Sequence, residues 1–382
     1  MKFRNLVIFT LSLVLLFSTA VSVAAQEPTG DFAVVQAAVD EFLSAGKPPL
    51  ISADALWENL SDGDPDNDPF ILSVRKPEDY AKGHIPGAVN IPLKDLAKPE
   101  NLARLPTDRQ IVTYCYTGHN GQIAATILNV LGYDAINLKY GMMAWTQDDA
   151  VLATKRFGPD TEQRDYRVEQ EPNEATETYA FPELNTGAEG DFEIVRAAAD
   201  QWLNSPAAPP IISADSLWEN LSDGDADNDP FILSVRKPED YAKGHIPGAV
   251  NISLKDLAKP ENLAKLPADK NIAAYCYTGH TGQIATTVLG MLGYNVSNIK
   301  YGMMGWTEDD EVLATTRFGP DTEQRDYRVE SAAEMEMEEA AQEEPAELPA
   351  TGAAAFPVGL VGLVAGLSSL VAGLALRRRL AS

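Results

Sequence analysis

Cys115 and Cys276 are the only cysteines in the 382-residue chain, and each opens nearly the same eight residues. The first set runs Cys115, Tyr116, Thr117, Gly118, His119, Asn120, Gly121 and Gln122. The second runs Cys276, Tyr277, Thr278, Gly279, His280, Thr281, Gly282 and Gln283. An apolar, β-like run precedes each (Ile111–Tyr114 and Ile272–Tyr275), and a helix-like run follows. A thiol between a buried strand and a helix start sits where helix-terminal N–H groups favour its thiolate. The pattern predicts one reactive-thiol site, present twice.

The positioning elements are duplicated along with the loops. Residues 70–91 recur without change at 231–252, and residues 157–169 recur at 318–330. The offset is 161 from Pro48 to Glu169 but 160 at Asp31 against Asp191, which places a one-residue insertion near 205–208. So long a period marks a duplicated domain rather than a solenoid. The expected domains are 31–169 and 191–330, each long enough for its own core.

Within the first domain, Leu50-Ile51 leads into a helix from Ala53 with Leu56, Trp57 and Leu60 on one face. Residues 70–74 read as a strand, 77–81 as a short helix, 88–91 as a strand, and 95–105 as a helical or irregular crossover. Ile111–Tyr114 is a buried strand. Ile123, Ile127, Leu128 and Leu131 then recur at helical spacing, with Gly132 placed to end the helix and Ala135–Leu138 as a further strand. Such alternation predicts an α/β fold, two domains each with a parallel sheet flanked by helices on both faces. Ligands of such sheets bind outside the carboxyl ends of strands, where the Cys115 loop falls.

Over roughly 50–147 and 211–308 the residues resemble the rhodanese-like sulfurtransferases. The likeness rests on Val74-Arg75 with Glu78-Asp79-Tyr80, on 83–88 (Gly-His-Ile-Pro-Gly-Ala), on the Cys115 loop, on Leu131-Gly132-Tyr133, and on Gly141 to Trp145. It implies a compact α/β domain whose cysteine carries a persulfide, with Cys115 and Cys276 catalytic and residues 116–121 and 277–282 binding substrate. The implied partners are a small sulfur-containing donor and a thiophilic acceptor. No cofactor and no metal are expected.

An unperturbed thiol has a pKa of about 8.5, so a sulfur-transfer cysteine must have its anion favoured. Amides converging from a tight loop, together with the next helix N-terminus, do this. Gly118 and Gly121 let the loop curl around one sulfur atom. His119 and His280 are the only loop side chains able to add positive charge or donate to an anion. A cysteine phosphatase would need Arg at the sixth position after the cysteine to grip phosphate. Gly121 and Gly282 occupy it, and neither loop contains Arg or Lys.

The chain departs from the family pattern in two places. Ser73 and Ser234 stand where the family has Asp before the motif arginine, and Asp79 and Asp240 where thiosulfate-using relatives present a second basic residue. Grip on a dianionic donor is therefore expected to be weak. A noncatalytic binding or display module on the same fold is the competing class, although it would need no thiol.

The remaining conspicuous residues are expected to be structural. His84 and His245 would fix the turns before Pro86 and Pro247, Arg75 and Arg236 would pair with acids such as Glu78 and Glu239, and Trp145 and Trp306 would fill cores. Asp62, Asp64, Asp66 and Asp68, repeated at 223–229, are read as a solvated turn, because Asn67 and Ser73 stand where an EF-hand needs Gly and Glu.

The two ends predict location. Lys2 and Arg4, an apolar run and Val23-Ala24-Ala25 form the layout of a secretory signal peptide over 1–25. At the other end, Leu348, Pro349, Ala350, Thr351 and Gly352 precede an apolar segment (353–376) and three arginines. This set (348–382) resembles the cell-wall sorting signal of Gram-positive surface proteins, which a sortase cuts between Thr and Gly. A retained single-span anchor is the simpler variant. Both place the domains outside the cell, attached to its envelope. Removing both ends leaves 25 basic against 56 acidic residues, a net of −31. That opposes nucleic-acid binding. Acidic stretches at 170–190 and 331–347 read as linker and stalk, too poor in apolar residues to fold. Two cysteines at matching positions argue against a disulfide framework, since a bridge would need the two sites face to face.

Overall fold

The computed structural model describes residues 27–47, 49–206 and 211–331. The expected signal peptide, the sorting signal with its apolar segment, and the stalk beyond Ser331 lie outside the described residues. Among the described residues no helix is long and apolar enough to cross a membrane.

Each domain is built on a five-stranded, wholly parallel sheet. In the first, β1 (Leu50–Ile51), β2 (Phe70–Ser73), β3 (Val89–Asn90), β4 (Ile111–Tyr114) and β5 (Ala135–Leu138) lie in the order β1-β5-β4-β2-β3. In the second, β6 (Ile211–Ile212), β7 (Phe231–Ser234), β8 (Val250–Asn251), β9 (Ile272–Tyr275) and β10 (Val296–Ile299) repeat that order. β4 and β9 are central and buried at every position, as the unbroken apolar runs require of a strand covered on both faces.

Helices cover both faces. The helix Ala53–Leu60 starts at Ser52, whose hydroxyl accepts the Ala55 N–H at 3.1 Å, and packs Leu56 on one face of the sheet with Trp145. The helix His119–Val130 packs Ile123, Ile127 and Leu128 on the other. It ends at Gly132, whose φ of +90° lets the Tyr133 N–H return to the Leu128 carbonyl at 2.9 Å.

The repeated tails are exchanged between the domains. Residues 157–169 lie on the second domain: Tyr166 stacks on Trp218 with centroids 4.9 Å apart, and its N–H bonds the Trp306 carbonyl at 2.9 Å. Arg164 pairs with both carboxylate oxygens of Asp215, at 2.6 and 2.7 Å. Residues 318–330 do the same to the first domain, with Tyr327 on Trp57 and Arg325 on Asp54. The expected boundaries at 169 and 330 therefore divide the sequence repeats but not the packed units. The core is likewise shared, since Val35 and Ile127 of one repeat join Val195 and Val288 of the other in one apolar cluster.

Residues 170–190, read from the sequence as a linker, contain no helix or regular strand, yet they are held to both domains. Phe181 stacks on Phe32 at 5.0 Å, the Tyr179 N–H reaches the Ala264 carbonyl at 2.7 Å, and Thr186 donates twice to Asp31. The few apolar residues among the acids are enough to anchor the segment where it crosses.

Candidate active site

β4 ends at Tyr114 and delivers Cys115 to the mouth of the helix His119–Val130. Gly118, at φ +85°, turns the chain between them. The amides of Gly121, Thr117, Gly118 and Asn120 lie near enough to the Cys115 sulfur to favour its anion. In the second loop the Gly279 N–H donates to Cys276 Sγ at 3.2 Å. A floor beneath each loop comes from the chain after β5 and β10. The Met142 N–H bonds the Cys115 carbonyl at 3.0 Å, and a Cβ on Gly141 would lie 2.5 Å from that same oxygen, which is why glycine stands there.

Both cysteines are free and almost fully buried, at 2% and 1% exposure. The sequence led to a thiol held ionised by its loop. The structure corrects this for Cys115, whose pKa is pushed up. Burial is the largest influence, and the four amide contacts only partly offset it. The cradle is present, but in this closed arrangement desolvation outweighs it.

The histidines are also corrected. His119 Nε2 accepts the Tyr301 N–H at 3.2 Å, and its Nδ1 lies 2.9 Å from Thr117 Oγ1. Both nitrogens are engaged, and burial lowers the pKa to about 3, so the ring is neutral at physiological pH and offers no charge to an anion. His280 is matched to Tyr140 and Thr278 in the same way, and burial likewise lowers its pKa well below the ordinary value.

Tyr116 and Tyr277 lead away from the loops. The Tyr116 hydroxyl donates to Asp79 at 2.7 Å, and Arg75 lies over its ring at 5.2 Å. Burial pushes the Tyr116 phenol up to about 12. Asn120 and Thr281, the one difference between the loops, are half-buried on the first turns of their helices. Gly121 lies against Asn137 and Gly282 against Asn298, with no space for a side chain.

Arg75 and Arg236 do not pair with Glu78 and Glu239. Arg75 is fully buried and donates to the carbonyls of Gly83, Asp79 and Val151 at 2.7, 2.8 and 2.5 Å. Its two terminal nitrogens are committed to backbone carbonyls of the fold. His84 stacks on Tyr80, and its backbone bridges to Glu330 of the exchanged tail. Trp145 and Trp306 are core residues that also donate to the tails, at Arg328 and Arg167. In the acidic turn, Asp62 accepts the Asp64 N–H at 2.7 Å and Asn67 Nδ2 at 2.9 Å. Among the described residues no group of three or more His, Cys, Asp or Glu side chains is placed to hold a metal.

Sequence reasoning missed Tyr140 and Tyr301. Both adopt the left-handed backbone at φ 62° and 61°, uncommon for an aromatic residue. Each phenol enters the opposite domain. The Tyr301 ring meets Phe157 edge-on at 4.8 Å, and its hydroxyl lies 3.8 Å from Met143 Sδ. No local pattern marks them, because their partners lie in the other repeat.

Residues 52–148 and 213–309 each match the rhodanese-like domain. The chain belongs to the rhodanese-like family. Three relatives illustrate its range. The candidate sulfur carrier protein YrkF of Bacillus subtilis is 36% identical over 131 residues, covering 34% of this chain and 68% of that protein. The candidate sulfurtransferase YtwF of the same organism is 34% identical over 95 residues, or 25% of this chain and 87% of that protein. A sulfurtransferase of Allochromatium vinosum is 31% identical over 98 residues, again 25% and 87%. Rhodanese-like domains with such relatives point to sulfur transfer as the general chemistry.

Proposed function

We propose that the chain is an extracytoplasmic sulfurtransferase in which Cys115 and Cys276 each carry sulfane sulfur as a persulfide. The observation that carries this reading is a single buried sulfur at the mouth of a helix, in a loop with no Arg, Lys, Asp or Glu. The Gly279 N–H donates to Cys276 Sγ at 3.2 Å, and the matching Cys115 loop places the amides of residues 117, 118, 120 and 121 near enough to favour its anion. A cradle of that size suits one sulfur atom and its anion, whereas a phosphate would need an arginine fork.

In the first half-reaction the thiolate attacks the sulfane sulfur of the donor. An S–S bond forms, and the donor's bond to that sulfur breaks with its electron pair leaving on the donor remnant. In the second, a thiophilic acceptor such as cyanide, sulfite or a thiol attacks the outer sulfur and releases the cysteine thiolate. The loop amides hold the negative sulfur in both states. Burial of Cys115 requires the site to open for each exchange.

The leader over 1–25 supports export, and Leu348, Pro349, Thr351 and Gly352 support sortase attachment to the cell envelope. The acidic surface suits that setting and opposes nucleic-acid partners. The test is a peptide mass spectrum after incubation with thiosulfate, 3-mercaptopyruvate or polysulfide. A gain of one sulfur atom on each cysteine peptide is expected. No gain from any donor, with both thiols still open to alkylation, would leave the display module as the better reading.

A further inference from the structure

The two loops meet across the domain interface, and each is braced by the other's histidine. The Gly118 amide is one of those that favour the Cys115 anion, and the Gly118 carbonyl accepts from Asn137 Nδ2 at 3.0 Å. The open side of Gly118 is closed from the second domain. A Cβ placed there would lie 2.5 Å from His280 Nε2 and 2.9 Å from the Tyr140 nitrogen. His280 Nε2 is itself 3.2 Å from that nitrogen. A backbone amide can only donate, so Nε2 is the acceptor and the ring proton sits on Nδ1, where it reaches Thr278 Oγ1 at 2.9 Å. The arrangement is mirrored. His119 packs on Gly279, accepts the Tyr301 N–H and reaches Thr117, and the Gly279 amide is the donor to Cys276 Sγ.

We propose that His280 is a positioning residue for Cys115 and His119 one for Cys276, so that each thiol site is completed by the opposite domain. The ring fixes the glycine turn, and the turn aims an amide at the sulfur. Without the ring, the face of Gly118 toward the second domain is open, and its N–H is held less firmly toward the sulfur. The inference rests on the same cysteines as the sulfurtransferase reading, but it concerns thiol ionisation and not sulfur exchange.

The experiment uses the full chain with Cys276→Ser, leaving Cys115 as the one thiol, and follows the pH midpoint of iodoacetamide alkylation. His280→Leu keeps volume in the interface but offers Tyr140 no acceptor. It should raise the Cys115 midpoint by about one pH unit, the size expected for weakening one hydrogen bond to an anion. His280→Gln, whose carboxamide oxygen can take the Tyr140 N–H, should restore most of the shift. The mirror pair is His119→Leu with Cys115→Ser, read at Cys276. A folded His280→Leu chain with an unmoved Cys115 midpoint, or an equal shift in His280→Gln, would overturn the assignment. If His280→Leu fails to fold, His280→Asn, polar but too short to reach Tyr140, carries the same expectation. Alkylation proceeds whether or not sulfur is transferred, so failure here leaves the persulfide reading intact, and failure of that reading leaves this one.

Discussion

The imidazoles of His119 and His280 stack across the domain interface, with centroids 5.7 Å apart and planes within 11° of parallel. Each ring stands on the first turn of its own cysteine helix and accepts an amide from the other domain. Two buried imidazoles at this distance cannot both be charged without repulsion in a weakly screened interior. Their neutrality is therefore part of what keeps the interface closed.

The first expectation follows from that stack. His119 titrates near 6.5 when unfolded and at about 3 when folded, with burial as the leading cause. Between those values the unfolded chain takes a proton that the folded chain refuses. Stability is thus full above about pH 6.5 and falls as pH drops toward 3, by up to about 1.4 kcal/mol per pH unit for each such histidine. His280 acts in the same direction. Urea midpoints should decline between about pH 7 and pH 5, above the range where most carboxylates titrate. His119→Leu should flatten the decline, and a midpoint that is constant in the unmodified chain would contradict this account.

Cys115→Ser and Cys276→Ser should each remove about half the sulfur-transfer turnover, and the double variant should be inactive. Additivity of this kind is expected only if the sites act independently in turnover. The loops differ at Asn120 against Thr281 alone, which motivates equal shares. One single variant with full activity would show that only the other cysteine works.

The exchanged tails separate packing from charge. Tyr327 stacks on Trp57 at 4.9 Å, meets Trp145 edge-on at 5.2 Å, and donates to Asp54 at 2.6 Å. Arg325 pairs with the same Asp54, but 31% of the arginine side chain and 44% of the aspartate face solvent, which screens the pair. Tyr327→Ala should cost about 2–3 kcal/mol and Arg325→Ala about 1 kcal/mol or less in denaturant unfolding. A larger loss from the arginine would mean that the ion pair, and not aromatic packing, fastens the tail.

Thr351 should be the last residue of the mature protein, joined to envelope material through its carboxyl. Fractionated cells and sequencing of the C-terminal peptide decide the point. An intact tail through Ser382 in the membrane fraction would replace sortase attachment with a retained anchor.

What the sequence by itself determined is local. The thiol loops, the alternation of strands and helices over 50–138, the burial of the strand Ile111–Tyr114 and the helix stop at Gly132 all follow from short-range periodicity and turn chemistry, and all stand in the structure. Only the tertiary structure decided which repeat each tail embraces. Residues 157–169 and 318–330 are identical, and the Trp57 and Trp218 sites that receive them differ only by small changes such as Ala55 against Ser216 and Ala144 against Gly305, so local sequence does not assign a tail to a repeat. Chain geometry makes the choice. The same holds for the histidines and for Cys115. Their charge states depend on how much water the opposing domain excludes, and burial of that kind is a property of the assembled interface that no eight-residue motif contains.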